Sequence, residues 1–276
     1  MPDTVMRTRE ISVHGIPLNL FEAGEPAGAQ GAAASLLFIH GWTSRHQIFR
    51  HQLAEFARER HVVAVDLPGH GASGRPQIDY TVPFFAETLE GLVRALFLRR
   101  VIVIGHSLGA LAALELARMA GPERVPAAIL IEAAPIIRDE TMTAQLAKTS
   151  RVIEAEGIAR AQMRLAELAF FEPGEETDAV REEMAAGLAE ASSLAAQSAW
   201  RGLIDWQEGI AALGEVRVPL LFVNGARPQN REAAIRAVTA APVHWGRTVC
   251  AGHFNLLTAP TQVNAMIGDF LARLPS

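Results

Sequence analysis

The sequence predicts an α/β fold: a mostly parallel sheet covered by helices on both faces, with a helical insertion in the second half of the chain. Three observations carry this. Short runs that are apolar throughout recur along the first half, separated by stretches of helical spacing, as when strands buried on both faces alternate with crossover helices. Between Pro135 and about Leu213 the strand-like runs stop and only helical patterns continue. From Pro219 the alternation resumes.

Residues 11–13 and 18–21 flank Gly15 and Pro17 and read as an opening antiparallel pair, and 25–34, rich in Gly and Ala, reads as a loop. Residues 35–39 form an apolar strand that ends at His40-Gly41-Trp42. Residues 45–60 have helical spacing, with Ile48, Leu53, Phe56 and Ala57 on one face. The strand at 62–65 runs into Asp66-Leu67-Pro68-Gly69-His70-Gly71-Ala72-Ser73-Gly74, whose density of Gly and Pro makes a tight loop. A helix over about 83–98, a strand over 100–104, a helix from Ser107 to about Ala120 and a strand over 125–131 follow. The insertion reads as helical over roughly 140–171 and 178–212, with breaks at Gly157, Pro173-Gly174 and Gly187. A strand at 219–223, a helix at 231–241, a strand at 244–250 and an amphipathic helix at 261–274 close the chain, for eight strand runs in all. The expected division is a body of residues 1–134 and 214–276 and a helical cap of residues 135–213.

With 276 residues, 50% hydrophobic and 20% charged, the chain can bury a large core and is not disordered. The formal charge of −5 is spread along the sequence without a basic stripe, which argues against a nucleic-acid partner. The single Cys250 excludes an internal disulfide and a cysteine-rich metal site, and points to a reducing compartment. Residues 1–10 lack the apolar core of an export signal, and no stretch reaches the ~18 apolar residues of a spanning helix. A cytoplasmic protein is expected, with no membrane association, acting on a small molecule as a monomer or homodimer.

The chemistry centres on Gly105-His106-Ser107-Leu108-Gly109, where an apolar strand turns straight into a helix. Such a junction brings backbone against backbone, so glycine is needed on either side, and the central serine is held in a strained turn with its hydroxyl exposed. Ser107 is therefore read as a nucleophile. A serine hydroxyl needs an imidazole to take its proton, and His253, on the loop after the last strand, can bend back over it. The oxyanion formed on attack needs two donors, assigned to the backbone amides of Leu108 and Trp42. His40 and His106 stand in crowded turns where orienting backbone is their expected work, and His70 is read as structural. Trp42, His106, Phe171, Trp200 and Trp206 are expected against the substrate, with Phe170 a further aromatic candidate and Met142, Met163 and Met184 as packing filler. The scarcity of fixed charge in these elements favours an apolar acyl or aromatic substrate.

His40-Gly41-Trp42, Asp66-Leu67-Pro68-Gly69-His70-Gly71-Ala72-Ser73, Gly105-His106-Ser107-Leu108-Gly109 and Gly252-His253-Phe254, in that order, resemble the motifs of α/β-hydrolase fold enzymes. The likeness is to the capped kind, which includes esterases, epoxide hydrolases, haloalkane dehalogenases and carbon–carbon bond hydrolases. It covers essentially the whole chain and implies an eight-stranded α/β-hydrolase fold. The dehalogenases and epoxide hydrolases use aspartate where this chain has Ser107, so the resemblance implies acyl chemistry through a serine, with no metal and no organic cofactor. The chain departs from the family at the acid. The loop after the strand that follows the cap reads Asn224-Gly225-Ala226-Arg227-Pro228-Gln229-Asn230-Arg231, without a carboxylate. Some members carry the acid at the end of the strand after the nucleophile helix, which here is Glu132, with Glu232 and Asp139 as rivals. The leading expectation is a serine hydrolase of a carboxylic ester. Carbon–carbon hydrolysis, or the cofactor-free ring cleavage of quinolone dioxygenases using the same His253 and Glu132, is a second. A non-catalytic ligand-binding protein on this fold is a third.

Overall fold

The computed structural model describes residues 6–24, 33–175 and 177–275, so most of the loop expected at 25–34 lies outside the described residues. Eight strands form one sheet in the order β1-β2-β4-β3-β5-β6-β7-β8. The hairpin β1 (Met6–Val13) and β2 (Ile16–Ala23) is antiparallel, and β2 pairs antiparallel with β4 (Val62–Val65). From β4 onward, through β3 (Ser35–Ile39), β5 (Val101–His106), β6 (Ala128–Ile131), β7 (Leu220–Asn224) and β8 (Val243–Arg247), every pairing is parallel. The all-apolar reading of the central strands holds, since β3, β4, β6 and β7 are buried at every position.

Alternate residues of each strand enter two separate cores, as a pleat of period two requires. Leu37, Ile39, Val63, Val65, Val101 and Val103 pack on one face, under α2 (Val82–Ala95) and α3 (Leu108–Arg124). Leu36, Phe38, Val62, Ala64, Ile102 and Ile104 pack on the other, against α1 (Arg50–Phe56) and the closing helix. A 3-10 turn, His46–Phe49, precedes α1 and shortens the helix expected over 45–60.

Between β6 and β7 the chain forms α4 (Glu140–Glu156), α5 (Ile158–Leu165), a π-helical turn (Ala166–Phe170), α6 (Asp178–Glu190), α7 (Ser193–Asp205) and α8 (Gly209–Glu215). Asp139 and Ser192 cap α4 and α7 through their side-chain oxygens, so these ends are written in the sequence. Gly157 separates α4 from α5 as expected, but Gly187 does not break a helix. It sits inside α6 because a Cβ there would come within 2.5 Å of the Thr43 carbonyl oxygen, so its absence lets α6 lie against the loop after β3. The chain returns through α9 (Glu232–Val238) between β7 and β8, then α10 (Asn255–Thr258) and α11 (Pro260–Arg273). Among the described residues no helix is long and apolar enough to cross a membrane.

Candidate active site

The parallel strands all end at the same edge of the sheet, and β3, β5, β6 and β7 deliver His40, Ser107, Glu132 and Gly225 there. Ser107 has φ 55° and ψ −118°, a left-handed backbone that a side chain adopts at a cost of about 1–3 kcal/mol. Its neighbours impose this geometry. A Cβ on Gly105 would lie 2.2 Å from the Gly109 carbonyl oxygen, and one on Gly109 would lie 2.2 Å from that of Ile39, so strand, helix and the adjacent strand touch through bare backbone. The Ser107 amide donates to Ile131 O at 3.1 Å, and its carbonyl accepts from Ala134 N at 3.3 Å, which ties the turn to the end of β6.

Glu132 follows β6 with φ 43°, a second non-glycine residue in the left-handed region. That turn directs its carboxylate away from solvent, and both Glu132 and His253 are 3% exposed. Glu132 Oε2 lies 3.2 Å from His253 Nδ1, while Oε1 accepts a hydrogen bond from the Gly225 amide. The rivals stand elsewhere: Glu232 opens α9 and pairs with Arg236, and Asp139 caps α4 and pairs with Arg231. With Nδ1 facing the carboxylate, the ring's proton sits on Nδ1 and Nε2 carries the lone pair. Neither Nε2 nor Ser107 Oγ makes a hydrogen bond to protein among the described residues, and both residues line one cavity.

His106 donates Nε2–H to the His253 carbonyl at 2.9 Å and also lines the cavity. Burial, and then the neighbouring His253, hold its pKa well below the ordinary histidine value, so it is a neutral strut. His40 orients backbone in the same way: Nδ1–H donates to Gly41 O at 2.8 Å and Nε2 accepts from the Leu67 amide at 2.9 Å. Burial and the adjacent His70 push its pKa down to about 3. His70 is itself buried, with Nδ1 bonded to Pro68 O. Asp66 knits the loop that contains it, accepting from His46 N and Nδ1, from Asn19 Nδ2 and from the Ala72 amide.

The cavity encloses about 290 Å³. Its floor is Gly41, Trp42, His106 and Ser107, and its roof comes from the insertion, including Met142, Leu146, Leu165, Phe170, Met184 and Trp200. The indole of Trp42 is anchored to that roof, donating Nε1–H to Ala196 O at 2.7 Å and packing 4.9 Å from the Trp200 ring. The amides of Trp42 and Leu108 donate to no protein acceptor among the described residues. Two of the aromatic residues expected against the substrate lie outside. Phe171 is extended after the π-helical turn, so its ring faces away from that of Phe170 and sits 4.8 Å beneath the Arg181 guanidinium. Trp206 is buried at the end of α7, where its ring packs on Gly209. Met163 is exposed. Phe170 is the residue inside, its ring stacked on the His253 imidazole at 4.5 Å and 15°.

Sequence reasoning passed over Gln229, whose Nε2 lies 3.2 Å from His253 Nδ1. It belongs to the loop after β7, where an amide side chain carries no signal for an imidazole partner as a carboxylate would. Where Nδ1 donates to Glu132, the Gln229 amide must offer Oε1, not its NH₂, to the same proton. Among the described residues no group of three or more His, Cys, Asp or Glu is placed to hold a metal ion.

Residues 36–266 match the model of the alpha/beta hydrolase family. The chain belongs to the alpha/beta hydrolase family. Within it, this hydrolase is similar to a 2-(acetamidomethylene)succinate hydrolase of Mesorhizobium japonicum, 29% identical over 242 residues, 84% of this chain and 82% of that enzyme. Its fold is similar to a solved E-2-(acetamidomethylene)succinate hydrolase, with a TM-score of 0.75 and 25% identity over 97% of this hydrolase and all of that chain. An esterase of Exiguobacterium antarcticum shares the fold at a TM-score of 0.81 and 17% identity, covering 95% of this hydrolase and 98% of that chain.

Proposed function

We propose that this hydrolase cleaves a carboxylic ester, or a related acyl compound, of a small to medium apolar or aromatic substrate through an acyl-enzyme on Ser107. The observation that carries the reading is the buried Glu132–His253 contact at 3.2 Å, in a cavity wall that also holds the strained Ser107. His253 Nε2 takes the hydroxyl proton as Ser107 Oγ bonds to the carbonyl carbon, and Glu132 balances the imidazolium. The oxyanion is held by the Trp42 and Leu108 amides at the amino end of α3, where the helix dipole also favours negative charge. On collapse the bond to the leaving group breaks, and that group takes the proton from His253. Water, deprotonated by the same imidazole, then releases the acid and regenerates Ser107. Residues 135–213 act as the cap over a body of 1–134 and 214–276.

The name of the Mesorhizobium relative gives a substrate with an acetamido group and the two carboxylates of succinate. Here the lining supplies one cation, Arg227, at the exposed rim and already paired with Glu172, so dianions would meet an apolar wall. A neutral acyl compound fits better. The test is p-nitrophenyl butyrate: a burst of nitrophenol in the native protein and labelling by a fluorophosphonate, both lost in Ser107→Ala. Undiminished turnover in that variant would end the proposal.

A further inference from the structure

The loop that carries His253 has no regular structure, and while Thr248 N–H at its start still donates to Asn224 O of β7, the amides of Gly252 and His253 are both satisfied by the insertion. His253 N–H donates to Phe170 O at 2.7 Å. Gly252 N–H donates to the Glu175 carboxylate, 3.1 Å from each oxygen. Glu175 also accepts from Thr258 Oγ1 on α10 and, at 2.8 Å, from the Glu172 amide, so one half-buried carboxylate gathers three donors from both sides of the seam. Glu172 continues the seam by pairing with Arg227, whose Nη2 donates to Phe171 O at 2.6 Å. The approach depends on glycine at 252, where a Cβ would lie 2.1 Å from Phe170 O.

We propose that Glu175 is a positioning residue for the general base, and that segment 170–175 of the insertion is the seat on which the imidazole is aimed; this rests on the role given to His253 above. Hydrogen bonds that a carboxylate accepts from backbone amides are charge-assisted and stronger than neutral ones, and here one fixes the residue immediately before the histidine. The Phe170 ring, lying flat on the imidazole, fixes its plane. Lifting this part of the insertion would unseat the base, and seating it completes the reactive geometry.

The experiment compares steady-state kinetics of p-nitrophenyl butyrate in three variants. Glu175→Ala lowers kcat by on the order of tenfold to a hundredfold, with KM within about twofold, because misaiming a base by a fraction of an ångström affects the chemical step rather than binding. Glu175→Gln, which keeps the shape and one acceptor oxygen, recovers part of that loss, and it serves alone should Glu175→Ala not fold. Glu183→Ala removes a different tie between insertion and body, the 2.8 Å pair with Arg45, and leaves kcat unchanged. The proposal is overturned if the Glu175 variants retain native kcat, if they alter only KM, or if Glu183→Ala falls as far. Ser107→Ala is inert in every case where the serine reading holds, so the two claims fail separately.

Discussion

Glu132 carries the largest expectation at the scale of a single residue. Its carboxylate is buried and touches His253 Nδ1, and the Gly225 amide holds its other oxygen, so Glu132→Gln keeps the shape while presenting a neutral group to the imidazole. Replacing the acid of a serine triad by its amide reduces kcat by roughly 10⁴-fold where it is the only orienting group. Here Gln229 also reaches Nδ1, so the expected fall in kcat is smaller, on the order of 10³-fold, and Gln229→Ala alone changes it by less than about tenfold. Equal kcat in native and Glu132→Gln proteins would remove the acid from the account. Ser107 and His253 were legible as candidates because each follows an apolar run at glycine, whereas Glu132 stands out from Glu232 and Asp139 only through the family resemblance. Gln229 and Glu175 were not legible, since a lone amide in the loop after β7 and a lone carboxylate in the insertion carry no local signal, and Glu175 meets Gly252 only when the insertion folds back.

Among the elements, the junction of β5 and α3 is the most constrained, because Gly105 and Gly109 let three stretches of backbone meet. Gly109→Ala would place a methyl 2.2 Å from the Ile39 carbonyl oxygen and 2.4 Å from that of His40, neither of which can rotate away. The expected result is a loss of unfolding free energy of about 3 kcal/mol or more in urea, at the upper end for single substitutions. A variant within about 0.5 kcal/mol of native would show that the strand end yields. The places of the strands were legible because an apolar run bounded by Gly or Pro is a local signal, but their limits were less so: β6 starts at Ala128 within the run 125–131, and β8 ends at Arg247 within the run 244–250. The insertion was harder to read. Gly187 resembles a helix break but answers a tertiary need, and the π-helical turn shifts the phase of the pattern by a residue, which exchanges Phe171 for Phe170 at the cavity.

For the whole molecule, acid is the informative variable. His40, His70 and His106 are buried, and each is held below the ordinary histidine pKa, chiefly by burial, with His40 at about 3. The unfolded chain protonates them below about pH 6.5 while the native state does not, so the unfolded state binds more protons and stability is lost on acidification. The window runs from about 6.5 down to the native value, with a slope of up to ~1.4 kcal/mol per pH unit for each histidine. Asp66 acts at lower pH: burial works to raise its carboxyl, but the bonds from His46 and the nearby His40 outweigh it and hold it below the usual range, so its contribution is lost below about pH 4. Urea titrations between pH 7 and 5 are expected to show falling midpoints with an unchanged m-value, and His40→Gln a shallower fall; a flat profile would contradict this.

The meeting of Trp42 with Trp200 has an optical consequence. The indoles of Trp42 and Trp200 stand 4.9 Å apart, one rooted in the body and hydrogen bonded to Ala196, the other on the insertion and hydrogen bonded to Ser150. Two rings this close, tilted at 52° to each other, join the loop after β3 to α7 across the cavity. The molecule thus carries its own gauge, readable in ultraviolet emission without a dye, of how far its two halves stand apart.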